Sequence, residues 1–115
     1  MTEDVVRAFK ILRAEEWAAL ERDGSFAGSP ADLADGFIHM STASQLRGTA
    51  DKHFAGEDGL TLAEVAVDAL GDDLSWEPSR GGDLFPHLYN RLAVDAATDV
   101  FPLPWRDGVH EFPDL

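Results

Sequence analysis

The sequence predicts a single small α+β domain, and three observations carry that reading. Segments with strand-like alternation are interleaved with two main stretches of helical periodicity. Glycine and proline punctuate the chain at short intervals, without an internal repeat or a low-complexity linker. The length, 115 residues of which 44% are hydrophobic, with seven Phe and three Trp, suffices for one packed core. The expected organisation is one domain over residues 1–115, with a core from about 7 to 103 and an irregular tail over 104–115.

Arg7 to Leu12 reads as a first strand, with Phe9 and Ile11 on one face and Ala8, Lys10 and Leu12 on the other. From Arg13 to about Asp23, Ala14, Trp17, Ala18 and Glu21 recur at helical spacing with Leu20 beside them, and Gly24 is a suitable stop. Gly28-Ser29-Pro30 opens a loop, and Ala31 to Asp35 is expected to form a single turn. Gly36-Phe37-Ile38-His39-Met40-Ser41-Thr42 follows as a short strand, and it is the most informative stretch of the chain. Phe37, His39 and Ser41 share one face of it. Residues two apart on a strand lie roughly 6–7 Å from each other, so such a polar pair can grip two atoms of one small ligand.

Thr42-Ala43-Ser44-Gln45 fits a capping box and predicts a helix from Ser41 or Thr42. Leu46, Ala50, His53 and Phe54 form its stripe, and Gly56 marks its end. Leu60 to Val67 is a near-continuous apolar strand, broken only by Glu64, and is expected at the centre of a sheet. Gly71 marks a turn before the strand Leu74-Ser75-Trp76-Glu77, where Ser75 and Glu77 share a face. After a polar loop from Pro78 to Asp83, the last strands run from Leu84 to Tyr89 and from Ala93 to Phe101. Pro86 cannot donate to a ladder, which predicts that its strand is an edge or carries a bulge.

Charge narrows the function classes. With 22 acidic against nine basic residues the net charge is -13, whereas binding to nucleic acid needs Lys and Arg to displace counterions from phosphates. Only Arg7, Lys10 and Arg13 cluster, so nucleic acids and anionic membranes are disfavoured as partners. No apolar run reaches the length of a membrane span and the N-terminus lacks a signal-peptide pattern, so a cytoplasmic location is expected. The absence of Cys excludes thiol catalysis, disulfides and thiolate metal sites.

His39 offers a hydrogen bond to a ligand hydroxyl, or acid–base chemistry near neutral pH. The same residue also reads as a packed histidine bonded to a carbonyl. Ser41 reads either as a ligand contact or as a helix cap. Amide donors of a helix starting beside His39 would suit a phosphate or carboxylate. Phe85-Pro86-His87-Leu88-Tyr89 repeats the device, with His87 and Tyr89 two apart, and Glu77 ends a strand nearby. A carboxylate there could orient a hydroxyl or stabilise developing positive charge; it also fits an exposed strand-end acid. His39, His53, His87 and His110 lack short ligand spacings, which leaves a metal-dependent hydrolase as a minor alternative.

Phe9-Lys10-Ile11-Leu12, Glu16-Trp17, the Gly36–Thr42 stretch with Gln45, Leu74-x-Trp76-Glu77-Pro78 and Phe85–Tyr89 together resemble the bacterial family known as domain of unknown function 952. The resemblance covers roughly residues 7 to 103. It implies a split, twisted sheet similar to the ADP-ribosyltransferase fold, in which a histidine–x–serine element lines a nicotinamide dinucleotide pocket. Here the matching element is His39-Met40-Ser41. The implied reading is a cleft for a nucleotide-like or phosphorylated small molecule, with NAD as the possible cofactor. Lys10, His39, Ser41, Trp76, His87 and Tyr89 would bind it, and His39 and Glu77 would act in any transfer of ADP-ribose. The chain departs from the pattern at Lys10-Ile11, where many relatives of that fold carry His or Arg before Gly, and it lacks an Arg-rich RNA-handling set. The competing reading is a ligand-binding or interaction domain without transfer chemistry.

Overall fold

A strand that is apolar along most of its length needs cover on both faces, and Leu60–Ala66 finds it. In the computed structural model, which describes residues 6–115, this strand (β4) is the centre of an antiparallel sheet. It lies between β1 (Arg7–Leu12) and β8 (Ala97–Leu103). Ala63 and Val65 face one core, with Ala8 and Leu12 of β1, while Leu60 and Leu62 face a second, with Phe9 and Ile11. The first core is completed by Leu20 of α1 (Ala14–Asp23) and by Ile38, Met40 and Leu88 from a second sheet. The second core is closed by Leu46 and Ala50. Gly24 ends α1 at φ 77°, a left-handed conformation that only glycine adopts cheaply.

The second sheet is β3 (Ile38–His39), β6 (Leu84–Leu88) and β5 (Leu74–Pro78), antiparallel in that spatial order. Two small ribbons complete the molecule. One joins β2 (Ser25–Phe26) to β7 (Leu92–Ala93), the other β9 (Trp105–Arg106) to β10 (Val109–His110). Among the described residues there are three α-helices: α1, α2 (Pro30–Asp35) and α3 (Leu46–His53). The result is an α+β domain with several antiparallel sheets. Among the described residues no helix is long and apolar enough to cross a membrane.

Four expectations need correction. The Pro86 strand lies inside its sheet, not at an edge. Its carbonyl accepts from Met40 N–H at 3.0 Å, but the reciprocal bond that an N–H at Pro86 would return to Met40 is missing, and β3 ends at His39, just before the position opposite the proline. The helix expected from Ser41 or Thr42 begins at Leu46: the capping-box bond from Thr42 N–H to Gln45 Oε1 forms at 3.0 Å, but it closes a turn over residues 43–45 ahead of the regular helix. The strand drawn through Ala93 to Phe101 breaks into β7, a 3₁₀ turn over Val94–Ala96, and β8. The segment 104–115 is not wholly irregular: it contains the β9–β10 hairpin, and His110 is buried with its Nε2–H donating to Glu57 O at 2.8 Å.

Candidate ligand-binding cleft

The two sheets meet at one point and then part. Phe9 and Ser41 exchange both backbone bonds, Phe9 N–H to Ser41 O at 2.7 Å and Ser41 N–H to Phe9 O at 2.9 Å. Two residues further along β1, the Ile11 N–H and C=O point the same way, and among the described residues no strand pairs with them. The cleft opens in this gap, with α2 on one side and α3 on the other.

Its floor is built around Asp32. Ser29 caps α2, with Pro30 at the first helical position and Asp32 in the reciprocal capping position. That geometry turns the Asp32 carboxylate inward, where it is 2% exposed. Oδ2 accepts Ser29 N–H at 2.9 Å and Lys10 Nζ at 3.0 Å, and Oδ1 accepts His39 N–H at 3.1 Å and His39 Nδ1–H at 2.6 Å. Lys10 occupies a core-facing position between Ala8 and Leu12, so it must find a counter-charge, and its third donor goes to His39 O at 2.9 Å. Burial alone would raise the Asp32 pKa. The bonds from His39, the nearby Lys10 charge and the two backbone donors outweigh it and hold the carboxyl well below its usual range. The bond to Asp32 in turn raises His39 above its ordinary value, against the opposing effect of burial. His39 Nε2 reaches the exposed Asp35 at 2.8 Å, so the ring stands as an imidazolium between two carboxylates.

His87 is organised differently. It pairs with His39 in register across β3 and β6, and the ring centroids are 5.7 Å apart. Phe37 stacks on His87 at 4.0 Å and packs against His39 and Tyr89. Glu77 Oε1 accepts from His87 Nδ1 at 2.8 Å and from Tyr89 OH at 2.7 Å, which lowers the Glu77 pKa, Tyr89 contributing most. A carboxylate only accepts, so Nδ1 of His87 carries the proton. His87 borders the cleft, and Nδ1 is the ring nitrogen held from behind.

The cleft has two adjoining lobes that share His39, Ser41, Thr49 and His53. One, of about 180 Å³, lies against Phe9, Ile11 and Phe54, with Lys10 and Arg13 at its margins. The other, of about 240 Å³, is bordered by Lys52, Arg80, Phe85 and His87. Ser41 Oγ and Thr49 Oγ1 are 2.9 Å apart on the shared wall. Burial, reinforced by Lys52 and Arg80, lowers the His53 pKa, so that ring stands neutral at pH 7.

The sequence-predicted residues are therefore divided. His39, Ser41 and His87 border one cleft. Lys10 borders it too, but with its three donors committed to Asp32 and His39. Glu77 and Tyr89 stand behind His87 and border neither lobe. Trp76 pairs with Pro86, on the opposite face of the sheet from the Ser75–His87 pair, and is removed from the cleft. Ser41 does not cap α3; its hydroxyl meets Thr49 instead. Asp32, Thr49 and Arg80 were missed. Ser29-Pro30-x-Asp32 is a legible helix start, and a lysine between two core positions signals a buried partner, so Asp32 could have been found. Nothing local marks Arg80. Among the described residues no group of three or more His, Asp or Glu side chains is placed to hold a metal ion, so the hydrolase alternative has no ligand shell there.

Comparison with known proteins agrees with this architecture. The family described as protein of unknown function (DUF952) matches residues 11–100, and the chain belongs to it. The crystal structure of protein CC0527 from Caulobacter crescentus is 47% identical, with 91% of this chain and 93% of that one covered and a TM-score of 0.88. The solution structure of the same protein gives 48% identity, 90% coverage of each chain and a TM-score of 0.80. No curated protein matches the chain.

Proposed function

We propose that this member of the family binds a small anionic molecule, nucleotide-like or phosphorylated, in the cleft between the parted strands. The observation that carries the reading is charge. In a chain of net charge -13, four of the nine Lys and Arg residues (Lys10, Arg13, Lys52 and Arg80) border this one cleft. Lys10 and Arg13 are matched by Asp32 and Glu57, whereas Lys52 and Arg80 have no carboxylate partner among the described residues. The unpaired Ile11 amide and the Ser41 and Thr49 hydroxyls add neutral polar groups. A concave site with one sign of unmatched charge concentrates ligands of the other sign.

Likeness to the split sheet of ADP-ribosyltransferases rests on the parting of β1 from β3 beside His39-Met40-Ser41, and it remains part of the proposal. Transfer of ADP-ribose from NAD has less support than binding. That chemistry needs Glu77 at the ribosyl carbon, and Glu77 is committed behind His87. A binding role without transfer fits the same groups.

The test is a thermal-shift screen with NAD, ADP-ribose and sugar phosphates against neutral nucleosides and sugars, with nicotinamide release followed in parallel. A ligand at a hundred times its dissociation constant stabilises the fold by about 2.7 kcal/mol, roughly 10 °C for a domain of this size. The anionic compounds should give that rise and the neutral ones should not. Equal shifts for both sets, or none for any, would overturn the reading.

A further inference from the structure

We infer that the anionic group of the ligand is a phosphate monoester docked on Arg80, and that Gly48 is the seat that positions this arginine. The inference rests on the cleft reading above and deepens it. Its first support is composition: among the residues bordering the Arg80 lobe there is no Asp or Glu, in a chain with 22 of them. Every ionisable side chain there is Lys, Arg or His.

The second support is how Arg80 is held. It leaves a glycine loop in which Gly81 and Gly82 take φ 71° and 83°, and its guanidinium lies 4.9 Å over the Phe85 ring. Its contacts to Thr49 Oγ1 and Gln45 O are all 3.4 Å, at the weak limit for hydrogen bonds. The plane is oriented while its five donors stay largely unspent, which is the state that suits bidentate capture of an oxyanion. Lys52, the Ser41–Thr49 hydroxyl pair and the His87 ring border the same lobe. A tetrahedral dianion has enough oxygens to use several of these donors at once.

The third support is Gly48. It sits inside α3 without a left-handed φ, so no turn requires glycine there. A methyl group at this position would lie 3.0 Å from Arg80 Nη2 and 3.6 Å from Cζ. A helical glycine costs about 1 kcal/mol against alanine, and the space it opens is filled by the Arg80 guanidinium. The size of the cleft limits what the phosphate carries. At about 240 and 180 Å³ each lobe is smaller than a usual ligand pocket. One phosphate and a small apolar body against Phe9, Ile11 and Phe54 fit the pair of lobes better than a dinucleotide does.

The experiment is an NMR titration of ¹⁵N-labelled full-length protein with inorganic phosphate, phenyl phosphate, malonate and NAD. Phenyl phosphate should bind most tightly, with saturable shifts at Thr49 and Arg80. Arg80→Ala should lose at least about tenfold in phosphate affinity, as expected for a charge-assisted contact. Gly48→Ala should also lose affinity while urea unfolding shows the fold unchanged or more stable, an outcome a purely structural role would not give. Shifts confined to the Lys10–Arg13 side, unaltered affinity in either variant, or malonate or NAD binding as tightly as phenyl phosphate would overturn the inference and leave the cleft reading standing. Absence of shifts in both lobes with every anion would remove both.

Discussion

Replacing Asp32 by Asn is the sharpest test of how the floor of the cleft is held. The substitution preserves shape, but the site has donors on both sides of the carboxylate. Lys10 Nζ and Ser29 N–H face Oδ2, and His39 N–H and Nδ1–H face Oδ1. Whichever way the amide of Asn turns, its NH₂ points at two donors. Lys10, 7% exposed, would also be left without its counter-charge. Removing one partner from a buried pair costs about 3–5 kcal/mol, a large part of the roughly 5–15 kcal/mol that holds a domain together. Lys10→Met should cost less, because Asp32 keeps the His39 imidazolium and two backbone donors while Met fills the volume of the lysine stem. Urea unfolding of both variants measures the order. A loss below about 1 kcal/mol for Asp32→Asn, or a larger loss for Lys10→Met, would refute the reasoning.

The same cluster sets a pH dependence. The folded pKa of His39 is raised, so its contribution is fully present below the unfolded value of about 6.5 and is lost as pH rises through the folded one. The folded pKa of Asp32 is depressed, so its contribution is present above about 3.9 and is lost as pH falls through its folded value. Urea midpoints of the wild type should therefore decline as pH rises above about 6.5 toward the raised folded value, and Asp32→Asn should flatten that decline. An unchanged alkaline slope in the variant would show that His39 does not depend on Asp32.

Three further outcomes follow from the packing. Glu77→Leu removes the acceptor that fixes the His87 tautomer, so ¹⁵N NMR of the imidazole should show Nδ1 protonated in the wild type and released from that state in the variant. Leu62→Ala, at a fully buried position of β4, should cost about 2–5 kcal/mol in urea unfolding, against under about 0.5 for Val100→Ala at an exposed one. Gly24→Ala meets no atom within 4 Å but must hold φ 77°, so its loss should be the conformational cost alone, about 1–2 kcal/mol by the same measurement.

What was legible in the sequence is what period and punctuation encode. The two faces of Arg7–Leu12, the central apolar strand with its one Glu, and the Gly24 stop each depend on neighbours close in the chain. Two similar polar strand faces, at His39 and at His87, suggested one pocket, but that the two residues pair in register across adjacent strands was not legible. The side from which His87 is held depends on the register of β5 against β6, which no local pattern fixes. The errors at Pro86 and at Thr42 share a physical cause. In both places the local rule holds, since β3 ends as it comes opposite Pro86 and Gln45 makes the capping-box bond to Thr42, but such a rule fixes neither a strand's place in its sheet nor the residue at which regular helix begins. Arg80 was invisible because its meaning comes from α3 and Phe85, not from the glycine loop that carries it.

An acidic chain that keeps one cationic cleft needs a way to hold positive charges near each other, and the arrangement around Asp32 supplies it. A single buried carboxylate, fixed by the cap of α2, neutralises Lys10 and part of His39 where the two sheets part. That carboxylate offsets part of their charge, while Arg80 and Lys52 stand without carboxylate partners among the described residues on the far side of Ser41 and Thr49. The two lobes consequently differ in kind. In the first, Lys10 and Arg13 are paired with Asp32 and Glu57 beside an apolar wall; in the second, Lys52 and Arg80 have no such partners among the described residues. On the proposed reading, a ligand with an anionic head and an apolar body matches that asymmetry with its head toward Arg80 and its body toward Phe54.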